Sequence, residues 1–210
     1  MTSPILDRMV AENATVARLA DEFTGVVNAE TIARFYRSSH AALAERASVA
    51  TFVPLLAERF TRQRLQALAR VEQRTEDTTP VVLFLCVQNA GRSQMALGFL
   101  AHHAGDAAIG WSGGSSPAGE IEDLAARAMA ERGIDITDEF PKPWTDEIVQ
   151  AADVVVTMGC GEACPLFPGT RYEEWTIPDP DGATLEQVRE IRDEIEDRVL
   201  RLIEELGLAR

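Results

Sequence analysis

Val81-Val82-Leu83-Phe84-Leu85-Cys86-Val87-Gln88-Asn89-Ala90-Gly91-Arg92-Ser93-Gln94-Met95 is the stretch on which the reading of this 210-residue chain turns. An apolar run ends in a cysteine, five residues follow, and Arg92-Ser93 opens a segment with helical patterning. This order predicts a buried strand, an oxyanion-binding loop and a helix. A cysteine at the C-terminal end of such a strand sits where parallel sheets present their ligand sites. Backbone N–H groups of Val87, Gln88, Asn89, Ala90 and Gly91 can point inward there, and the N-terminus of the following helix adds partial positive charge. Arg92 offers a planar fork for two oxygens of a tetrahedral anion, which a lysine would not match. The same field favours thiolate at Cys86, and Ser93 is placed to donate a hydrogen bond to the sulfur. Cys86 is therefore the expected nucleophile, while Asn89 and Gly91 shape the loop.

Outward from this stretch, strands and helices alternate as they do in a parallel sheet covered on both faces. The expected fold is α/β, a four-stranded parallel sheet, with further strands at 107–113, 154–156 and 175–177. Helices are expected over 92–103, around Leu124 to Met129 with a stop at Gly133, and after Thr145 as an N-cap. A closing helix carries Leu185, Val188, Ile191, Ile195, Val199 and Leu202 at helical spacing.

Upstream, three amphipathic helices predict an all-α three-helix bundle. Ser3-Pro4 starts the first, Asn28 caps the second, and the third begins near Ser48 to Thr51 with Pro54 in its first turn. Residues 1–78 hold ten arginines against ten acids, so the entire net charge of -14 falls on the remainder. That change of character, with the polar Thr75 to Pro80 linker, sets the expected domains at 1–78, an interaction or dimerisation module, and 79–210, the catalytic domain. The acidic balance argues against a nucleic-acid partner. With no signal-like start and no apolar run of membrane-spanning length, the expected location is cytoplasmic.

An odd number of cysteines, three, cannot form a fully paired framework and asks for a chemical role. Cys160 and Cys164 follow another predicted strand on a glycine-containing loop that could reach the sheet end carrying Cys86. Three adjacent thiols suit a relay in which each disulfide is attacked by the next thiolate. Zinc is the rival, but a structural site needs four ligands, and His102-His103 are helical neighbours pointing different ways, so no metal is expected. Asp179 stands between Pro178 and Pro180, a stiff loop able to hold a carboxylate for proton transfer to a bound oxyanion.

These elements, in this order, resemble the low-molecular-weight protein tyrosine phosphatase fold and, within it, the thioredoxin-coupled arsenate reductases. The resemblance covers roughly Pro80 to Arg210, and the helical part resembles a three-helix module found ahead of such reductases. It implies that Cys86 to Ser93 binds arsenate, with phosphate or sulfate as competing anions, and that Cys86 forms a thiol-arsenate adduct while Asp179 assists departure of water. It further implies a Cys86–Cys160 disulfide, then a Cys160–Cys164 disulfide reduced by an external thioredoxin and NADPH system, with no cofactor bound; a homodimer through the N-terminal helices is the role expected of that module. Asp181-Gly182 follows the Asp179-Pro180 pair where related phosphatases carry tyrosines, which favours the reductase. Leu97 stands where some members have a potassium-binding glutamate, which argues against potassium use. A tyrosine phosphatase, a mycothiol- or small-thiol-coupled reductase and a non-catalytic arsenic- or metal-binding sensor are the alternatives.

Overall fold

Three helices make up the first of two units into which the chain divides after Asp77. The computed structural model describes residues 4–47, 49–159 and 166–208. Helix α1 spans Pro4–Glu22, α2 Ala29–Ala44 and α3 Val53–Val71. Asn28 caps α2, its side-chain oxygen accepting from the Thr31 N–H at 2.8 Å. Pro54 lies in the first turn of α3, where a missing N–H costs nothing. The apolar stripes meet in a core of Leu19, Phe23, Val27, Ile32, Phe35 and Leu65. Buried Arg64 donates to Ser38 and Ser39 and lies 4.2 Å from the Phe35 ring centroid. Surface arginines pair with acids of the same unit, Arg18 with Glu58 at 2.6 Å and Arg62 with Glu22 at 2.9 Å. Ser3 and Ser48, both read as helix-start signals, lie outside the described residues.

In the second unit the apolar run forms β1 (Val81–Cys86), buried along its whole length because it is paired on both edges and packed on its faces. The sheet is parallel throughout, in the order β2 (Ile109–Gly114), β1, β3 (Val154–Met158), β4 (Arg171–Glu174). Residues Val82, Phe84 and Cys86 share one face of β1 and pack with α4 (Arg92–Ala104), α5 (Asp123–Ala130) and α7 (Leu185–Glu205). The short α6 (Asp146–Ala151) also lies against β1. A capping box between Thr184 and Gln187 starts α7.

Chain order turns one way from β1 to β2 and the other way to β3, so the carboxyl end of β1 is a topological switch point. Register then sets Cys86 beside Gly114 on one edge and Met158 on the other.

Local expectations are displaced in three places. The last strand is Arg171–Glu174 rather than 175–177. An edge strand paired on one side needs no apolar run, and Trp175, still bonded through its N–H to the Thr157 carbonyl at 2.8 Å, packs its ring against Phe84. Strand β2 begins at Ile109 because Gly105–Ala107 takes a 3₁₀ turn. Thr145 does precede α6 with extended backbone, but its hydroxyl makes no capping bond.

Candidate active site

Between β1 and α4 the loop accounts for all its carbonyls by turning them away from Cys86. Those of Cys86, Val87, Gln88 and Ala90 accept from the N–H groups of Ser115, Ser116, Ala118 and Glu122, at 2.8 to 3.3 Å. The Asn89 carbonyl accepts from Gln94 Nε2 at 2.9 Å, and that of Gly91 from the N–H groups of Gln94 and Met95. Asn89 takes a left-handed φ of 49°, a conformation asparagine tolerates better than most residues. Gly91 supplies no capping side chain to α4. With the carbonyls taken up elsewhere, the loop's amides other than that of Asn89 and the leading turn of α4 can serve an anion.

Cys86 is buried, with Sγ accepting from the Asn89 N–H at 3.2 Å and lying 3.0 Å from Ser93 Oγ. The direction of that last bond follows from its neighbours. Asn89 Nδ2, which can only donate, is 2.8 Å from Ser93 Oγ, and Asn89 Oδ1 accepts from the Lys142 N–H at 2.9 Å. Ser93 thus receives one proton from Asn89 and turns its own toward the sulfur, an arrangement suited to a thiolate.

Arg92 is buried rather than a surface charge. Its Nη2 donates to Asp179 at 2.5 Å and its Nη1 to the Ile177 carbonyl at 3.2 Å, so the Asp-Pro loop rests on the guanidinium. Asp179 Oδ1 also accepts from the Asp181 N–H. A Cβ added to Gly91 would lie 2.6 Å from Glu122 Oε2 and 2.8 Å from Pro180 Cγ, which puts both Glu122 and the Asp-Pro loop against this glycine. Burial, and then the charges of Asp179 and Asp181, push the Glu122 carboxyl above the ordinary glutamate range, against the pull of Arg92.

Of the expected residues, Cys86, Asn89, Gly91, Arg92, Ser93 and Asp179 come together here. Cys160 and Cys164 lie outside the described residues. The chain approaching them does reach the site, since Gly159 follows Met158 and a Cβ on it would lie 3.2 Å from Arg92 Nη1. His103 stacks on Phe99 and meets Glu196 at 3.1 Å, a packing role. Among the described residues no three metal-ligating side chains cluster, and no helix is long and apolar enough to cross a membrane. Sequence reasoning missed Gln94, Glu122 and Lys142. Gln94 could have been found as the next polar residue after Ser93 on a buried helix face, whereas Glu122 left no local signal.

Comparison with known proteins agrees with this geometry. Residues 81–209 match the model of the low molecular weight phosphotyrosine protein phosphatases. The chain belongs to that family. Residues 13–69 match a second model, the N-terminal domain of protein-tyrosine-phosphatase-like proteins. Within the family its similarity runs to arsenate reductases. A solved thioredoxin-dependent arsenate reductase of Corynebacterium glutamicum is 42% identical, with a TM-score of 0.86 over 94% of this chain and 96% of that one. An arsenate reductase of Bacillus licheniformis is 36% identical over 133 residues, 59% of this chain and 94% of the relative. A glutaredoxin arsenate reductase of Synechocystis is 34% identical over 129 residues, 60% of this chain and 98% of the relative.

Proposed function

We propose that this chain reduces arsenate to arsenite, with Cys86 as nucleophile. The observation that carries the reading is the Cys86 sulfur held by the Asn89 N–H and Ser93, on a loop whose carbonyls are all taken up elsewhere and which ends at Arg92 at the start of α4. Cys86 thiolate attacks arsenic, an oxygen of arsenate leaves as water, and Asp179 supplies a proton to it. Cys160 thiolate then attacks the Cys86 sulfur. The S–S bond forms, the S–As bond breaks, and its electron pair stays on arsenic, so two thiols are oxidised as As(V) becomes As(III). Cys164 attacks Cys160, frees Cys86, and leaves a Cys160–Cys164 disulfide for an external dithiol protein. Phosphate and sulfate, as tetrahedral anions, compete with arsenate.

The similarity to the Corynebacterium enzyme supports thioredoxin as reductant, and the Synechocystis relative makes glutaredoxin the comparison arm. The test is arsenite release with thioredoxin, its reductase and NADPH, for the parent and for Cys86→Ser, Cys160→Ser and Cys164→Ser. All three variants are expected to lose multiple turnover. Full turnover in Cys86→Ser sinks the reading, and full turnover in Cys164→Ser removes that residue from the relay. Hydrolysis of p-nitrophenyl phosphate that exceeds arsenate turnover and ignores Cys160 and Cys164 favours the phosphatase reading. Self-association through the three N-terminal helices belongs to the same proposal, and sedimentation of the full chain against residues 79–210 reads it.

A further inference from the structure

Lys142 is the only lysine among the chain's 20 lysines and arginines. It is also buried, 3% exposed. Its ammonium meets Ser112 Oγ of β2 at 3.2 Å, the Phe140 carbonyl at 3.3 Å and Glu139 Oε2 at 3.4 Å, and lies 4.6 Å from the Phe140 ring centroid. An ammonium carries three N–H donors that diverge, whereas a guanidinium's donors lie in one plane. Three converging oxygens therefore select lysine in a chain that elsewhere uses arginine. A buried ammonium is costly unless paired, and the proposed reaction does not touch this one.

Main-chain groups of the same residue reach the oxyanion loop. The Lys142 N–H donates to Asn89 Oδ1 at 2.9 Å, and its carbonyl accepts from the Gly114 N–H at 3.0 Å. Pro141 and Pro143 on either side have no N–H, so residue 142 supplies the one main-chain donor of that three-residue segment. The Phe140 carbonyl also accepts from Gln94 Nε2 at 3.3 Å, tying the segment to α4. If the Lys142 N–H moves, the Asn89 amide loses what fixes its orientation, and Ser93 loses the donor that directs its proton to Cys86.

We infer that Lys142 is a positioning residue for the Cys86 thiol: its ammonium fastens residues 139–142 to β2 and so holds the N–H that sets the direction of the Asn89–Ser93–Cys86 hydrogen-bond chain. The inference rests on Cys86 being the reactive thiol of the proposed function. Alkylation reads that thiol without arsenate, so failure of one is distinct from failure of the other.

The experiment follows iodoacetamide alkylation of Cys86 against pH in the full chain carrying Cys160→Ser and Cys164→Ser. Ser112→Ala removes one acceptor of the ammonium and is expected to move the midpoint of alkylation up by about half a unit, roughly twofold slower below the midpoint. Lys142→Met moves it by about one unit or more, roughly three- to fourfold slower or beyond below the midpoint, and Lys142→Arg does not restore it. In a Ser93→Ala background, Ser112→Ala adds nothing, because the link passes through Ser93. An unmoved profile in Ser112→Ala, or an equal shift with and without Ser93, overturns the inference. If Lys142→Met does not fold cooperatively, the Ser112→Ala comparisons decide alone.

Discussion

Replacing Ser93 by alanine tests the hydrogen bonding at the Cys86 sulfur with one oxygen atom. Ser93 and Asn89 are both fully buried, so water does not replace the lost hydroxyl. The sulfur keeps the Asn89 N–H at 3.2 Å and loses the donor 3.0 Å away. A hydrogen bond to a charged group contributes about 1.5–3 kcal/mol. At ~1.4 kcal/mol per pH unit, the midpoint of Cys86 alkylation moves up by about one to two units. Well below the midpoint the rate falls roughly 3- to 16-fold, because the smaller thiolate fraction is partly offset by the greater nucleophilicity of a more basic thiolate, while well above it the variant reacts about 2.5- to 10-fold faster than the parent. Asn89 Nδ2 also loses its acceptor, which costs about 1–3 kcal/mol of stability and is read separately by urea unfolding. The assay is the pH profile of iodoacetamide alkylation in the Cys160→Ser, Cys164→Ser background. A midpoint within about a quarter unit of the parent, less than ~0.4 kcal/mol, would refute the assignment of the Ser93 proton to the sulfur.

Other expectations follow from the same contacts. Asp179→Asn removes the proposed proton source and frees an Arg92 nitrogen, so kcat for arsenate falls about 10²–10⁴-fold while KM does not rise; steady-state kinetics showing the loss mainly in KM would contradict the role. Gly114→Ala would place a Cβ 2.6 Å from the Val87 carbonyl oxygen and 3.0 Å from Asn89. Backbone cannot yield there as a side chain would, so the variant loses about 1–3 kcal/mol in urea unfolding together with anion affinity, and an unchanged midpoint counts against the fit. Glu122 has its folded-state carboxyl pushed upward, so the stability it contributes is full below the ordinary glutamate value of 4.5 and is lost as pH rises through the folded-state value. Glu122→Gln therefore melts higher than the parent at neutral pH, the difference vanishing below about pH 4; a gain that grows on acidification would be the wrong sign.

What the amino-acid sequence determined by itself was the β1–loop–α4 unit and the alternation around it. Its signals are local: a charge-free apolar run, a loop of defined length and a helix start leave their marks within fifteen residues. The closing helix was equally legible through its period, whereas the edge strand was not, because Arg171–Glu174 pairs through its backbone and needs no apolar pattern. Cys86, Arg92 and Asp179 were legible as residue types suited to anion chemistry. Only the tertiary structure decided how they act on one another. Arg92 meets Asp179 across 87 positions, and Lys142 holds Asn89 across 53. Contacts of that separation depend on strand order and register, which bring the ends of β1, β2 and β3 together, and no periodicity in the chain encodes them.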